Sequence, residues 1–136
     1  MKNLSTLLCV VVILCMISHV YCSFWIANEL KLKKKLWISC FSKDDRMAPV
    51  IKNPGEVYQR NFRTNLWGTT RFMCTLRQGP NYRHTQNFTA FDQQSPSDMG
   101  ALWDWRAREN GIYLKVWGGP HRQGAVNMHK AFDWIY

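Results

Sequence analysis

NLWGTTRFMCTL, residues 65–76, reads as a turn feeding a buried strand. Asn65 and Gly68 are turn formers, and Thr69 and Thr70 are β-branched starters. Phe72, Cys74 and Leu76 then recur on one face at the strand period of two. Arg71, Met73 and Thr75 make the other, mixed face. Residues 36–42 (LWISCFS) repeat the pattern with Leu36, Ile38 and Cys40 aligned. Cys40 and Cys74 therefore lie on the apolar faces of their strands and are expected to point into one core.

The same punctuation divides the rest of the chain. Residues 24–30 (FWIANEL) form a short apolar strand ending near Asn28. A brief extended piece covers residues 49–51. Residues 57–62 set Tyr58, Arg60 and Phe62 against Val57, Gln59 and Asn61. A strand over residues 84–91 centres on Phe88. Residues 103–108 (WDWRAR) alternate Trp103, Trp105 and Ala107 with Asp104, Arg106 and Arg108, the first set buried and the second facing water. Asn110-Gly111 supplies a tight hairpin turn into a strand over residues 112–117. Residues 131–136 (AFDWIY) close the chain as a last strand. Turn signals fall at Ser42-Lys43-Asp44-Asp45, Asn53-Pro54-Gly55 and Gln78-Gly79-Pro80-Asn81. Seven or eight short strands, with no sustained helical period beyond the leader, predict an all-β fold: a small antiparallel β-sandwich.

The chain has 136 residues, room for one domain. Residues 1–22 have the build of a secretory signal peptide: Lys2, an apolar block over residues 7–17, then Val20 and Cys22 at the −3 and −1 positions of a cleavage site. The block is shorter than the roughly 20 residues a bilayer span needs. Residues 23–136 would be the mature domain. Its formal charge is +8, one less than the +9 of the full chain, because Lys2 leaves. Cys9, Cys15 and Cys22 leave too. In an oxidising compartment the inward Cys40 and Cys74 favour a bridge over the alternative, two buried thiols.

Surface chemistry is cationic. Residues 31–35 (KLKKK) place Lys31, Lys33, Lys34 and Lys35 in one short run. Its two readings are an edge guard against strand pairing and a contact for an acidic surface. Asn87-Phe88-Thr89 is an N-glycosylation acceptor with Asn87 facing away from Phe88. His84, His121 and His129 lack a serine elbow or cysteine nucleophile, and they read as surface histidines ahead of a ribonuclease pair. No metal-ligand spacing is present, so neither metal nor cofactor is expected. Trp103 and Trp105 read as core ahead of a stacking platform.

Taken in order, these pieces resemble the plant self-incompatibility protein homologues, or S-protein homologues. The residues that carry the resemblance are Cys40-Phe41-Ser42-Lys43-Asp44-Asp45, Asn65 with Gly68-Thr69-Thr70-Arg71-Phe72-Met73-Cys74, then Phe91-Asp92, Trp105 and Gly111-Ile112-Tyr113. The resemblance implies a β-sandwich and an extracellular ligand. In the family's best understood case, a style-secreted member is recognised by a pollen membrane protein and stops self-pollen growth. This chain departs at Arg46-Met47-Ala48, where the family continues the acidic turn, and it lacks the later two of the family's four cysteines. Their joint loss implies that they bond each other, leaving Cys40 to Cys74.

The expected function is therefore a secreted, non-enzymatic ligand binding a cell-surface membrane receptor through its loops. The contact candidates are the loops over residues 31–35, 78–83 and 92–100, with Lys31, Lys33, Lys34, Lys35, Arg77 and Arg83 as contact side chains. The alternative is a cationic binder of an anionic wall or membrane surface with a defensive or toxic role. A nucleic-acid partner is not expected.

Overall fold

Apolar–polar alternation is realised strand by strand in the computed structural model, which describes residues 2–18, 21–63, 70–92, 101–117 and 127–136. A helix, α1 (Lys2–Ser18), is followed by β1 (Tyr21–Asn28), β2 (Leu36–Ser42), β3 (Val50–Lys52), β4 (Val57–Arg63), β5 (Arg71–Gln78), β6 (His84–Asp92), β7 (Leu102–Arg108), β8 (Gly111–Trp117) and β9 (His129–Phe132). The turn expected at residues 65–69 lies outside the described residues. No described helix is long and apolar enough to cross a membrane. Leu4, Leu7 and Leu8, in the first half of α1, are well exposed.

The strands form a five-stranded sheet in the order β4-β1-β7-β8-β9 and a four-stranded sheet in the order β3-β2-β5-β6. Their inner faces meet through rings that cross the gap. Phe24 and Phe62 pack on Phe72 at 5.4 and 4.5 Å between centroids, Phe91 on Trp103 at 5.5 Å, and Phe88 on Trp105 at 4.4 Å. Such tilted and edge contacts add to the area that large rings bury. Trp105 also donates its indole N–H to the Ala90 carbonyl at 2.9 Å, tying β7 to β6 across the sandwich.

Cys40 and Cys74 are register partners in the central β2–β5 pair and form a disulfide, with 2% and 1% exposure. The inward run on β5 is the expected one: Phe72, Cys74 and Leu76 are buried, joined by Gln78.

Three features differ from the sequence expectation. Nine strands occur among the described residues, since β3 and β9 are short independent pieces. The sandwich is also not wholly antiparallel, because β1 runs parallel to β7 (Ser23 opposite Leu102) while pairing antiparallel with β4. A parallel pair needs a long crossover. Here the whole four-stranded sheet, with β4, is built between the two partners. A third difference is local. Asp104 is buried, not solvent-facing, because Arg106 covers it with guanidinium contacts at 3.2 and 3.5 Å.

Candidate functional site: a lysine-lined pocket between two loops

Asn28, the last residue of β1, is the anchor of the site. It is fully buried, and a buried amide is costly unless its donors and acceptor are used. Its Nδ2 donates to the Lys34 carbonyl at 3.0 Å and to the Lys52 carbonyl at 2.9 Å, and its Oδ1 accepts the Leu30 N–H at 2.9 Å. One side chain thus binds the β1–β2 loop to the end of β3. Glu109, in the β7–β8 turn, holds the same loop from the other side. It accepts the Lys31 N–H at 2.8 Å and pairs with the Lys34 ammonium at 2.7 Å.

Between these anchors the backbone turns left-handed at two ordinary residues, Leu32 (φ 58°) and Lys33 (φ 57°). That conformation is uncommon without glycine and persists where surrounding bonds impose it. Its effect is to hold Leu32 outward at 87% exposure amid the lysines.

The facing loop, between β5 and β6, is also sharply turned. Gly79 has φ 83°, and a Cβ there would lie 2.3 Å from His84 Cδ2, so only glycine fits. A 3-10 turn over Pro80–Tyr82 follows, with Asn81 and Tyr82 at positive φ. The two loops border an open surface pocket of ≈310 Å³ lined by Lys33, Lys34, Lys35, Gly79 and Tyr82. Among the described residues, no carboxylate lies within 4 Å of the Lys33 or Lys35 ammonium, so only Lys34 of the three is neutralised.

The structure thus brings two of the three expected contact loops together. Lys33, Lys34 and Lys35 line the pocket, and Lys31 and Arg83 are exposed beside it on the same two loops. Arg77 is elsewhere. It stands on the outer face of the four-stranded sheet with its guanidinium 5.0 Å from the Trp37 ring centroid. The loop over residues 93–100 lies outside the described residues, as does His121. Leu32 and Tyr82 lie in the two expected loops, though neither was singled out, and sequence reasoning missed the two anchors, Asn28 and Glu109. The only signal for Asn28 was an amide at the end of an otherwise apolar strand.

The described histidines have separate surroundings. His84 packs edge-on against Tyr136 at 4.3 Å, whereas His129, on the other sheet, places Nδ1 3.1 Å from the Asn127 carbonyl. No cluster of three potential metal ligands occurs among the described residues.

The Lys34 hydrogen bond, and after it the Lys31 N–H, hold the Glu109 carboxyl below its ordinary 4.5 against a partial opposing effect of burial. A carboxylate depressed in the folded state contributes stability above its unfolded pKa and loses it as pH falls through the folded one. The Lys31 amide chemical shift should therefore follow a single titration as pH falls, with its midpoint below the ordinary 4.5. Glu109→Gln should abolish that transition. A midpoint at or above the ordinary carboxylate value would contradict the clamp.

Comparison with known proteins shows what the chain as a whole is similar to. A profile for the family described as plant self-incompatibility protein S1 matches residues 23–134. The chain is 58% identical over 136 residues to S-protein homolog 17 of Arabidopsis thaliana and 54% identical over 137 residues to S-protein homolog 16 of the same plant, with 99% of each chain covered in both cases. A solved structure of a self-incompatibility protein homologue, from a family described as small, highly stable, secreted plant proteins, superposes with a TM-score of 0.64 at 20% identity. It covers 86% of this chain and 96% of its own. At that identity the likeness shows the fold.

Proposed function

This chain belongs to the plant self-incompatibility protein S1 family, and from that premise we propose that it is a secreted, non-enzymatic ligand in cell-to-cell recognition. In this reading residues 1–22 are removed on export and residues 23–136 form the active domain. The exposed side chains over residues 3–11 of α1 and a family match that begins at residue 23 support that division. The partner is a cell-surface membrane receptor with an acidic contact surface.

The observation that carries the proposal is the pocket. Two loops from opposite parts of the chain converge there, and Lys33 and Lys35 are presented on a clamped backbone with no counter-ion among the described residues. Clamping matters because a preorganised loop loses less freedom on binding than a mobile one. Leu32, fully outward between the cations, supplies the apolar contact that charge alone lacks.

Epitope-tagged protein secreted from a eukaryotic host, applied to intact plant cells, tests this directly. Wild type should bind saturably and be displaced by untagged wild type. The double variant Lys33→Glu, Lys35→Glu should compete about tenfold less well or worse, which corresponds to about 1.4 kcal/mol. Binding that does not saturate, ignores cell type and collapses as salt rises would favour a general binder of anionic wall or membrane surfaces instead.

A further inference from the structure

The outer face of the four-stranded sheet carries a feature that the ligand reading does not use. Register aligns three rows across the strands. The middle row is Asn87, Thr75 and Ser39, all small and polar. One flanking row runs Thr85, Arg77, Trp37 and Ile51; the other runs Thr89, Met73 and Phe41. Short side chains between tall ones make a shallow trough that starts at Asn87 and ends two strands away, about 10 Å distant.

The walls are apolar and cationic together. Ile51 and Phe41 are 53% and 44% exposed. Arg77 stacks on Trp37, and Arg46 stands 5.7 Å from the centre of the Phe41 ring. Among the described residues neither guanidinium has a carboxylate within 4 Å or a hydrogen-bond acceptor. The opposite sheet is unlike this. There Arg106 and Arg108 are both paired with Glu29, and Arg106 with Asp104 as well.

Asn87 heads the trough in a conformation suited to modification. Its Oδ1 accepts the Thr75 hydroxyl at 2.6 Å, while its Nδ2 donates to nothing among the described residues. In an N-linked sugar Oδ1 stays an acceptor and Nδ2 carries the glycan, so the bond to Thr75 fixes the amide with its reactive atom free. The motif Asn87-Phe88-Thr89 is the acceptor sequence itself.

We propose that Asn87 carries an N-linked glycan whose first sugars lie in this trough, against Trp37, Phe41 and Met73. The inference rests on the reading that the chain is exported. The donor is a lipid-linked oligosaccharyl pyrophosphate: the Nδ2–C1 bond forms as the C1–O bond to pyrophosphate breaks, and the amide proton leaves with the pyrophosphate. The apolar faces of the pyranoses then cover exposed ring surface, as any apolar burial favours, and their hydroxyls meet the free guanidinium N–H groups of Arg77 and Arg46.

The test is secretion of the full chain from a mammalian cell line, intact mass before and after N-glycosidase, and hydroxyl-radical footprinting. One N-glycan should be lost on digestion, and it should be absent from both Asn87→Gln and Thr89→Ala. Oxidation of Trp37, Phe41 and Met73 should be severalfold slower in the glycosylated protein than in Asn87→Gln, with exposed Trp117 on the other sheet unchanged. Exported protein without a glycan overturns the inference alone, as does a glycan that leaves those rates equal. A chain retained in the cell overturns the export reading, and the glycan with it.

Discussion

Reduction of the Cys40–Cys74 bridge in the folded protein is expected to lower its thermal midpoint by more than about 10 °C. The two half-cystines are 34 residues apart in sequence and face each other across the β2–β5 ladder. In loop-closure terms a link of that span restricts the unfolded chain by about 4 kcal/mol, a large part of the stability of a small domain. The ladder itself does not need the bond. Reduced wild type should therefore still fold at low temperature with the same two sheets, its thiols behaving as small buried apolar groups. Cys40→Ala with Cys74→Ala should fall slightly further, by the volume removed from the core. A midpoint that moves by only a degree or two under reductant would mean that the bridge is ornamental.

The second large effect belongs to Trp105. Truncation to alanine is expected to cost about 4 kcal/mol in urea unfolding, as buried aromatic residues do. The ring is 2% exposed and packs on Phe88 at 4.4 Å and Phe132 at 6.1 Å, so its loss opens a void that rings on both sheets must close. Trp105→Phe separates packing from hydrogen bonding. Phenylalanine keeps much of the contact but leaves the Ala90 carbonyl of β6 without its donor, a cost of about 1–2 kcal/mol. Equal losses for the two variants would show that the indole N–H, not the ring, holds the sheets together.

Trp105 also shows how far the sequence could be read. Alternation alone placed it, with Trp103, on a buried face, because a period of two is written into adjacent residues. The same local signal located β2, β5 and the inward cysteines. It could not show which strand lies beside which, since Phe24, Ile26 and Asn28 would alternate identically beside a parallel or an antiparallel partner. Asp104 was misjudged for a related reason: a carboxylate that looks solvent-facing by position is buried when an arginine two residues on folds over it.

The site was legible in composition but not in shape. Residues 31–35 stand out as a lysine run in any reading. Their placement against Tyr82 depends on Asn28 and Glu109, which reach the loop from β1 and from the β7–β8 turn. Left-handed backbone at Leu32 and Lys33 leaves no mark in residue type, whereas Gly79-Pro80-Asn81 announces its turn plainly.

The parallel pairing of β1 with β7 has a consequence for biosynthesis. The ribosome delivers Ser23 long before Leu102, the residue it must sit beside. Until the later segment arrives, β1 has β4 on one flank and a bare row of amides and carbonyls on the other, an invitation to any foreign strand. Contacts so distant along the chain also form slowly. Translation that stops before Leu102 therefore yields a sticky fragment with an unsealed seam, and the seam closes only when nearly the whole polypeptide has been made.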